Sequence, residues 1–429
     1  MSAELEIQRK DLLGVCGQVR DGAAGDAELA AGGLRPALVA SPVSTEEASS
    51  VLRVAAEHDL AVLVRGGGSR LGWGVPPSAC DLMIDMAGMS AVVEHASGDL
   101  VARVQAGARM GDVASVLARA GQEIALDVPA ESTVGGVIGS GLAGPRRLRY
   151  GTPRDLLIGI TIVRADGTVA KSGGKVVKNV AGYDLGKLFA GSAGTLGLIS
   201  EAIFRLHPLP AARAYITAEY IAVSVACDAV AASANSPLVA SAVELSRAGP
   251  AGPVKVGVLI EGSAEGVAAR SARVSDLLGT GAVAAEPPHW WPEAPAAGAG
   301  ETLVQVSFWV SALSRVLDAL DAAASAAEVA PVTAGSAGAG VLYVRIGADA
   351  GADAAAGFVA ALRASLAGER GGVTVLTAPA SVREALAGRG GMYPALPALA
   401  LMRSVKDQFD PGHRMAPGQF PEAQFPETR

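Results

Sequence analysis

Residues 64–74 form a glycine-rich stretch with five glycines, and they directly follow an apolar run at residues 60–64. The apolar run predicts a short buried strand that ends where the glycines begin. Because glycine has no Cβ, such a loop can turn sharply and direct several backbone N–H groups at one point. Convergent N–H groups suit a phosphate or pyrophosphate. The stretch predicts an anion-binding loop, and an ordinary glycine-rich hairpin is the alternative.

A second stretch, residues 128–145, is dominated by glycine and other small residues. A helix there would be poor by propensity. A sequence keeps such residues where the backbone lies against a large flat group or against another backbone, so a tight helix–sheet crossing is the alternative interpretation. A third glycine-spaced segment, residues 191–197, leads into a predicted strand at residues 198–206. These segments are the candidate elements of a binding site.

Charged and metal-binding side chains give weaker signals. Three arginines lie within residues 146–149, a pattern consistent with a solvated turn or with binding of an anion or a partner. The histidines are isolated, so no metal site is predicted. The cysteines lack metal-ligand and redox spacing, which is typical of reduced thiols in a cytosolic protein and predicts no iron–sulfur cluster in this chain. The histidines are His58, His95, His207, His289 and His413, and the cysteines are Cys16, Cys80 and Cys227.

The composition excludes several classes of protein. A net charge of −7 argues against nucleic acid as a partner. No apolar run approaches the roughly 20 residues that a membrane-spanning helix needs, so no transmembrane segment is predicted. The charged N-terminal segment predicts an amphipathic helix and no secretory signal. We therefore expect a cytoplasmic protein, with peripheral membrane association through partners as an option.

The order of predicted elements gives the domain organisation. Residues 1–40 are predicted to form a helix and a connector, and helices and strands then alternate through residues 41–209, as in an α/β domain. Two prolines near residue 210 mark a boundary. Residues 210–395 predict two β-α-β-β-α units in tandem, hence an antiparallel sheet backed by helices, and residues 396–429 a closing helix and tail. Asp184 and Asp353 are predicted to cap helices. The fold class is α+β.

Taken together, four motifs occur in the order of a known family: the first glycine loop, Ser132-Thr-Val-Gly-Gly136, Gly182-Tyr-Asp-Leu185 and residues 191–197. The chain resembles the PCMH-type FAD-binding flavoproteins of the vanillyl-alcohol oxidase superfamily, which bind FAD between two α/β subdomains and carry a cap domain. Residues 141–147 and 177–184 are most similar to the E-subunit group of bacterial glycolate oxidases. The resemblance covers residues 41–209 and returns near residues 409–418.

The resemblance implies an FAD site. The first loop would hold the pyrophosphate through backbone N–H groups, the second stretch would line the ring and ribityl chain, and one later residue would meet the adenine side. A cofactor with two phosphates and a planar ring needs N–H donors at one end and small residues along its length. The implied residues are Arg65, Gly66, Gly67, Gly68 and Ser69; Pro129, Ser132, Thr133, Gly135, Gly136, Gly139 and Ser140; and Ile199.

Two departures from the family pattern limit what the resemblance implies. Some relatives attach FAD covalently through a histidine in the first loop, and Ser69 stands at that position here, so the flavin is predicted to be non-covalent. Related 2-hydroxy-acid dehydrogenases carry a histidine-rich metal and substrate site in the cap, and this chain has no such cluster. No catalytic base is assigned. Tyr150, Lys178, Asn179 and Tyr183 are the polar candidates nearest the implied flavin.

The function implied is that of an FAD-binding subunit of a glycolate oxidase-like complex, which oxidises a 2-hydroxy acid such as glycolate or lactate to a 2-oxo acid. Electrons would leave through an iron–sulfur subunit, and a second flavoprotein subunit would complete the complex. The missing cap histidines favour an accessory or electron-transfer role. A self-sufficient FAD-dependent oxidase or dehydrogenase of a sugar, alditol or other alcohol is the alternative, and a scaffold that has lost its flavin is a third.

Overall fold

The helices and strands are given by a computed structural model, which describes residues 3–23, 33–175, 183–279, 281–292, 294–419 and 421. The helices are α1 Ala3–Leu13, α2 Thr45–Glu57, α3 Met110–Ala118, α4 Val134–Ser140, α5 Arg147–Tyr150, α6 Pro153–Leu156, α7 Val223–Ala234, α8 Ala264–Leu277, α9 Leu313–Ala327, α10 Ala352–Ser365, α11 Ala380–Ala387 and α12 Leu399–Phe409. Short 3-10 turns include Leu185–Phe189.

The strands, in chain order, are shorter on average in the first half of the chain. They are β1 Val19–Asp21, β2 Leu38–Ala40, β3 Val62–Arg65, β4 Leu82–Asp85, β5 Val92–Ala96, β6 Val101–Gln105, β7 Gln122–Glu123, β8 Leu157–Val163, β9 Val169–Gly173, β10 Leu198–Arg205, β11 His207–Pro208, β12 Ala212–Tyr220, β13 Ala242–Ala248, β14 Val254–Gly262, β15 Ala282–Ala284, β16 Thr302–Phe308, β17 Val332–Gly335, β18 Val341–Ile346 and β19 Gly371–Thr377.

The chain divides into two compact units, and each is described by itself. The first contains Met1–Leu142, Thr152–Leu209 and Pro397–Arg429, and the second contains Ala143–Gly151 and Pro210–Leu396. The arginine-rich segment therefore belongs with the second unit. The sequence places this segment within the predicted FAD-binding domain, residues 41–209.

The first unit contains two main sheets. One has the strand order β1-β2-β4-β3, with β2, β4 and β3 parallel. The other has the order β5-β6-β10-β8-β9 and is antiparallel. Helix α2 begins after Ser44, whose Oγ accepts from the N–H of Glu47, and the apolar face of the helix is buried in the core. At the end of the chain Met415 pairs in parallel with Val62 of β3.

The second unit is built on one eight-stranded sheet of order β15-β12-β14-β13-β17-β18-β16-β19. Every neighbouring pair of strands is antiparallel. Val256 and Val258 of β14 are fully buried in the core, and the residues between and after them, Gly257 and Leu259, are buried as well, so this strand is covered on both faces. The predicted antiparallel sheet backed by helices is confirmed, and the two predicted units share one continuous sheet.

Several local predictions are wrong. Residues 134–140 do form a helix, α4, although their propensity is poor; Thr133 Oγ1 caps it, and Val134, Val137 and Ile138 are buried. Tertiary packing of an apolar face outweighs propensity in so short a helix. Asp184 pairs with Lys187 at 3.0 Å and makes no capping bond. Helix α10 begins one residue before the predicted cap Asp353.

Two further properties concern the cysteines and the lengths of the helices. All three cysteines are free. Burial raises the pKa of the Cys80 thiol to about 12 and that of Cys227 to about 11, so both are protonated and unreactive near neutral pH. Across the described ranges, every helix is too short or too polar to cross a membrane.

Candidate functional site

The first glycine loop begins where strand β3 ends, at Arg65. A Cβ placed on Gly66 would lie 2.0 Å from Thr133 Oγ1, so only glycine fits there without displacing the neighbouring segment. Gly68 has a φ of +79°, a region that favours glycine. The Arg65 guanidinium forms an ion pair with Asp85 at the end of β4. The backbone of this loop, rather than the Arg65 side chain, is therefore what the fold presents.

The backbone N–H groups of the loop are available to a ligand. Within the described part of the chain, the amides of Gly67, Gly68 and Ser69 donate no hydrogen bond to a protein group. Gly67 and Ser69 are also exposed. Successive amides in a turn make a concavity that suits an anion. The loop meets this first requirement of a pyrophosphate site.

The second predicted stretch lies directly against the glycine loop. Ser132 and Thr133 are buried, and the Ser132 carbonyl accepts from the N–H of Met110 at 2.8 Å. In α4, a Cβ on Gly135 would lie 3.0 Å from that of Ala106, so the helix approaches the backbone after β6 closely. Gly139 has open space beside it, and Ser140 Oγ donates to the Gly136 carbonyl at 2.7 Å. The predicted close backbone approach is thus present on one side of α4.

The third segment, residues 191–197, packs against the end of α4. The amides of Gly191 and Ala193 donate to the carbonyls of Ile138 and Gly139, at 2.9 and 2.8 Å. Gly141 ends α4 with a φ of +67°, and a Cβ there would lie 3.5 Å from Gly191 Cα. The structure therefore brings together the three stretches that the sequence singled out. All of these contacts lie within the first unit.

Arg70 is a site residue that sequence reasoning missed. Its Nη1 donates to Ser69 Oγ at 3.0 Å and to Ser132 Oγ at 3.3 Å, and its guanidinium lies 5.3 Å from the ring centre of Trp73. Burial lowers the pKa of this guanidinium, and the charge of Glu131 opposes that effect. The arginine ties the first stretch to the second. The position of Arg70 directly after the glycine run is the sequence feature that could have indicated its role.

The remaining predicted candidates have different environments. Ile199 is buried on the central strand β10, paired with Ile162 of β8. Tyr183 is 90% exposed. Lys178 and Asn179 lie outside the described residues. Tyr150 belongs to the second unit, where its hydroxyl donates to Glu261 Oε2 at 3.4 Å.

The arginine-rich segment joins a buried polar cluster of the second unit. Glu261 Oε1 lies 2.8 Å from Arg213 Nε and 3.5 Å from Arg146 Nη1, and both Glu261 and Arg146 are buried. Arg147 Nη2 donates to the hydroxyl of Tyr343 at 2.9 Å. Burial raises the pKa of that hydroxyl, and the charge of Arg147 opposes it. These side chains form a charged cluster of this unit in which Glu261 and Arg146 are buried and Arg213 is partly exposed.

No cluster of three histidine, cysteine, aspartate or glutamate side chains suitable for a metal ion occurs among the described residues. In the first unit the donors are backbone amides, hydroxyls and a guanidinium. That set suits a phosphate-bearing organic cofactor better than a metal. The available amides of the first loop suit the phosphates of such a cofactor, and there is open space beside Gly139.

Comparison with known proteins agrees with this geometry. Residues 36–173 match the family described as FAD binding domain. The chain is 36% identical over 201 residues to glycolate oxidase subunit GlcD of Bacillus subtilis, and 36% identical over 172 residues to D-lactate dehydrogenase of Archaeoglobus fulgidus. These alignments cover 46% and 40% of this chain and 42% and 39% of the relatives. The chain therefore matches less than half the length of these relatives.

Solved structures share the fold across nearly the whole chain. An alkyldihydroxyacetonephosphate synthase aligns with a TM-score of 0.73 and 16% identity over 97% of this chain and 86% of that one. A p-cresol methylhydroxylase with bound substrate aligns with a TM-score of 0.70 and 14% identity over 98% and 97%. The chain carries an FAD-binding domain and has the fold of the PCMH-type flavoproteins. The predicted resemblance to FAD-binding flavoproteins, the fold class and the cofactor FAD are confirmed, whereas the particular similarity to the glycolate oxidase E subunit stays a prediction.

Proposed function

We propose that FAD binds non-covalently to the first unit along the three neighbouring stretches. The observation that carries this proposal is the set of available amides at Gly67, Gly68 and Ser69. Gly66, where a side chain would collide with Thr133, lets this loop lie against the second stretch. The proposed contacts are Arg65, Gly66, Gly67, Gly68, Ser69, Pro129, Ser132, Thr133, Gly135, Gly136, Gly139, Ser140 and Ile199.

We further propose that the chain is the FAD-binding subunit of a glycolate oxidase-like complex that oxidises a 2-hydroxy acid to a 2-oxo acid. Similarity to a glycolate oxidase subunit and to D-lactate dehydrogenases supports this substrate class. When bound, FAD would accept the hydride equivalent that the substrate loses. The residues of this chain hold the cofactor: backbone amides bind its phosphates, and Arg70 fixes Ser69 and Ser132 in place. Electrons are proposed to leave through an iron–sulfur subunit, with a second flavoprotein completing the complex at the inner face of the membrane or in the cytoplasm.

Acid precipitation is expected to release the flavin into the supernatant. Ser69 stands where a covalent attachment would need a histidine, and a serine hydroxyl does not form that bond to flavin. The measurement is the flavin absorbance of supernatant and pellet after trichloroacetic acid treatment. Flavin that stays with the pellet would contradict non-covalent binding.

Turnover tests the subunit proposal. The FAD-loaded chain, assayed alone with an artificial electron acceptor, is expected to oxidise glycolate and D-lactate slowly, and the complex purified from the native host is expected to oxidise one of them rapidly. Robust turnover by the chain alone would contradict the subunit role, and preference for a sugar or alditol would favour a self-sufficient alcohol oxidase. The native complex should contain a cysteine-rich iron–sulfur protein and a second flavoprotein.

A further inference from the structure

A buried ammonium group connects the C-terminal segment to residues 191–197, which are called the second glycine loop below. Lys406 of α12 is 2% exposed. Its Nζ donates to Thr195 O at 2.7 Å, to Met415 O at 3.0 Å and to Asp410 Oδ2 at 2.5 Å. An ammonium has three N–H donors, and these three acceptors match them. The carbonyl of Thr195 belongs to residues 191–197, the segment that packs on α4.

The other half of the ion pair, Asp410, holds the backbone of residues 414–415. Asp410 is fully buried. Its Oδ1 accepts from the N–H of Arg414 at 3.1 Å, and its Oδ2 accepts from that of Met415 at 2.8 Å. Charge-assisted bonds of this kind are stronger than those between neutral groups. The carboxylate therefore fixes residues 414–415 relative to α12.

The same residues extend the sheet that leads into the first glycine loop. The N–H of Val62 donates to Arg414 O, and the N–H of Ala416 donates to Val62 O, both at 2.8 Å. Val62 begins β3, which ends at Arg65, the first residue of the loop. A single ion pair thus connects both glycine loops: one through Thr195, the other through Met415 and β3.

We propose that Lys406 and Asp410 are positioning residues that hold the two glycine loops in register for FAD. This inference rests on the proposed FAD site. The ammonium binds the carbonyl of Thr195 in one loop and that of Met415 beside β3, so FAD binding at the loops should also protect the C-terminal segment. Disrupting the pair should loosen both loops together.

Hydrogen exchange of the wild-type protein tests this coupling without any substitution. Adding FAD to the apoprotein is expected to slow exchange of Gly191 and Ala193, and to slow exchange of Met415 and Ala416 by a similar factor. Sub-global openings of this kind are resolved by native-state exchange. Protection confined to Gly191 and Ala193 would overturn the proposal.

A matched pair of variants tests the role of the ammonium. Lys406→Met is expected to raise the FAD dissociation constant by about 10- to 100-fold, because hydrogen bonds to a charged group are lost. In the control, Asp407→Asn, the change lies one residue away and affects a half-exposed carboxylate paired with His413 at 2.9 Å. That variant is expected to bind FAD as the wild type does.

An uncharged pair separates positioning from stability. Lys406→Met leaves the buried Asp410 carboxylate without a positive charge beside it. Lys406→Met combined with Asp410→Asn leaves no unpaired charge and keeps an acceptor for the Met415 amide. The double variant is expected to unfold closer to the wild type in urea and still to bind FAD weakly, with no FAD-induced protection of Ala416. Wild-type affinity in the double variant would overturn the proposal. If Gly66→Ala also left affinity unchanged, the proposed FAD site itself would be wrong.

Discussion

Replacing Gly66 by alanine should weaken FAD binding by up to about 100-fold. The new Cβ would lie 2.0 Å from Thr133 Oγ1, far inside contact distance, so the first glycine loop and the segment before α4 must move apart. Overpacking of this kind costs about 1–3 kcal/mol, and the displaced amides of Gly67 to Ser69 are the proposed phosphate donors. Titrating apoprotein with FAD, followed by the change in flavin fluorescence, measures the effect.

Gly72→Ala is the matched control in the same loop. A Cβ on Gly72 meets nothing within 4 Å, and Gly72 is not among the residues with positive φ. This variant is expected to bind FAD within about twofold of the wild type, since a Gly→Ala change at a compatible position is neutral or slightly stabilising. Equal loss of FAD in both variants would mean that the loop is sensitive to any added side chain, and the specific contact with Thr133 would not be the cause.

A second substitution should restore part of the binding. Thr133→Ala removes the hydroxyl against which the new Cβ collides, and leaves the Thr133 Cβ at 3.2 Å from it. The single change Thr133→Ala costs a helix cap worth about 1 kcal/mol. The double variant Gly66→Ala/Thr133→Ala is therefore expected to bind FAD better than Gly66→Ala alone. Additive losses in the double variant would contradict direct contact between the two positions.

The sequence predicted local features of the candidate site, such as the glycine loop, where its signal was local. Glycines at close spacing predict a loop whose backbone is presented to a ligand, and the structure has such a loop between β3 and the segment packed on Thr133. Helix α4 was missed because its stability comes from burying Val134, Val137 and Ile138, which propensity does not measure. Packing against residues distant in sequence therefore determines that residues 134–140 form a helix.

Side chains whose role depends on distant partners were also missed. Lys406 lies in the last turn of α12 and Asp410 directly follows that helix, four residues later, a spacing that in sequence is typical of a surface ion pair. Their burial follows from carbonyls contributed by Thr195 and Met415. The arginine-rich segment is a similar case. Arg146 lies beside Glu261, which is far away in the sequence, so spacing within the segment does not indicate that partner.

Replacing Glu261 by glutamine should destabilise the second unit by about 3 kcal/mol. The carboxylate is 5% exposed and lies between Arg146 and Arg213. Glutamine keeps the volume and removes the negative charge from beside a guanidinium that is itself buried. Removing one partner of a buried ion pair typically costs about 3–5 kcal/mol, and the partial exposure of Arg213 reduces that figure.

Urea unfolding followed by tryptophan fluorescence measures this loss. Trp290, Trp291 and Trp309 belong to the second unit and only Trp73 to the first, so the signal reports mainly on the unit that contains Glu261. The control is Asp353→Asn, which removes a carboxylate that is 88% exposed and lies 2.9 Å from Arg389. Exposed pairs contribute at most about 1 kcal/mol, so the control should unfold near the wild-type midpoint. Equal urea midpoints for the two variants would contradict this prediction. They would mean that Arg146 and Arg213 do not need the Glu261 carboxylate as a buried countercharge.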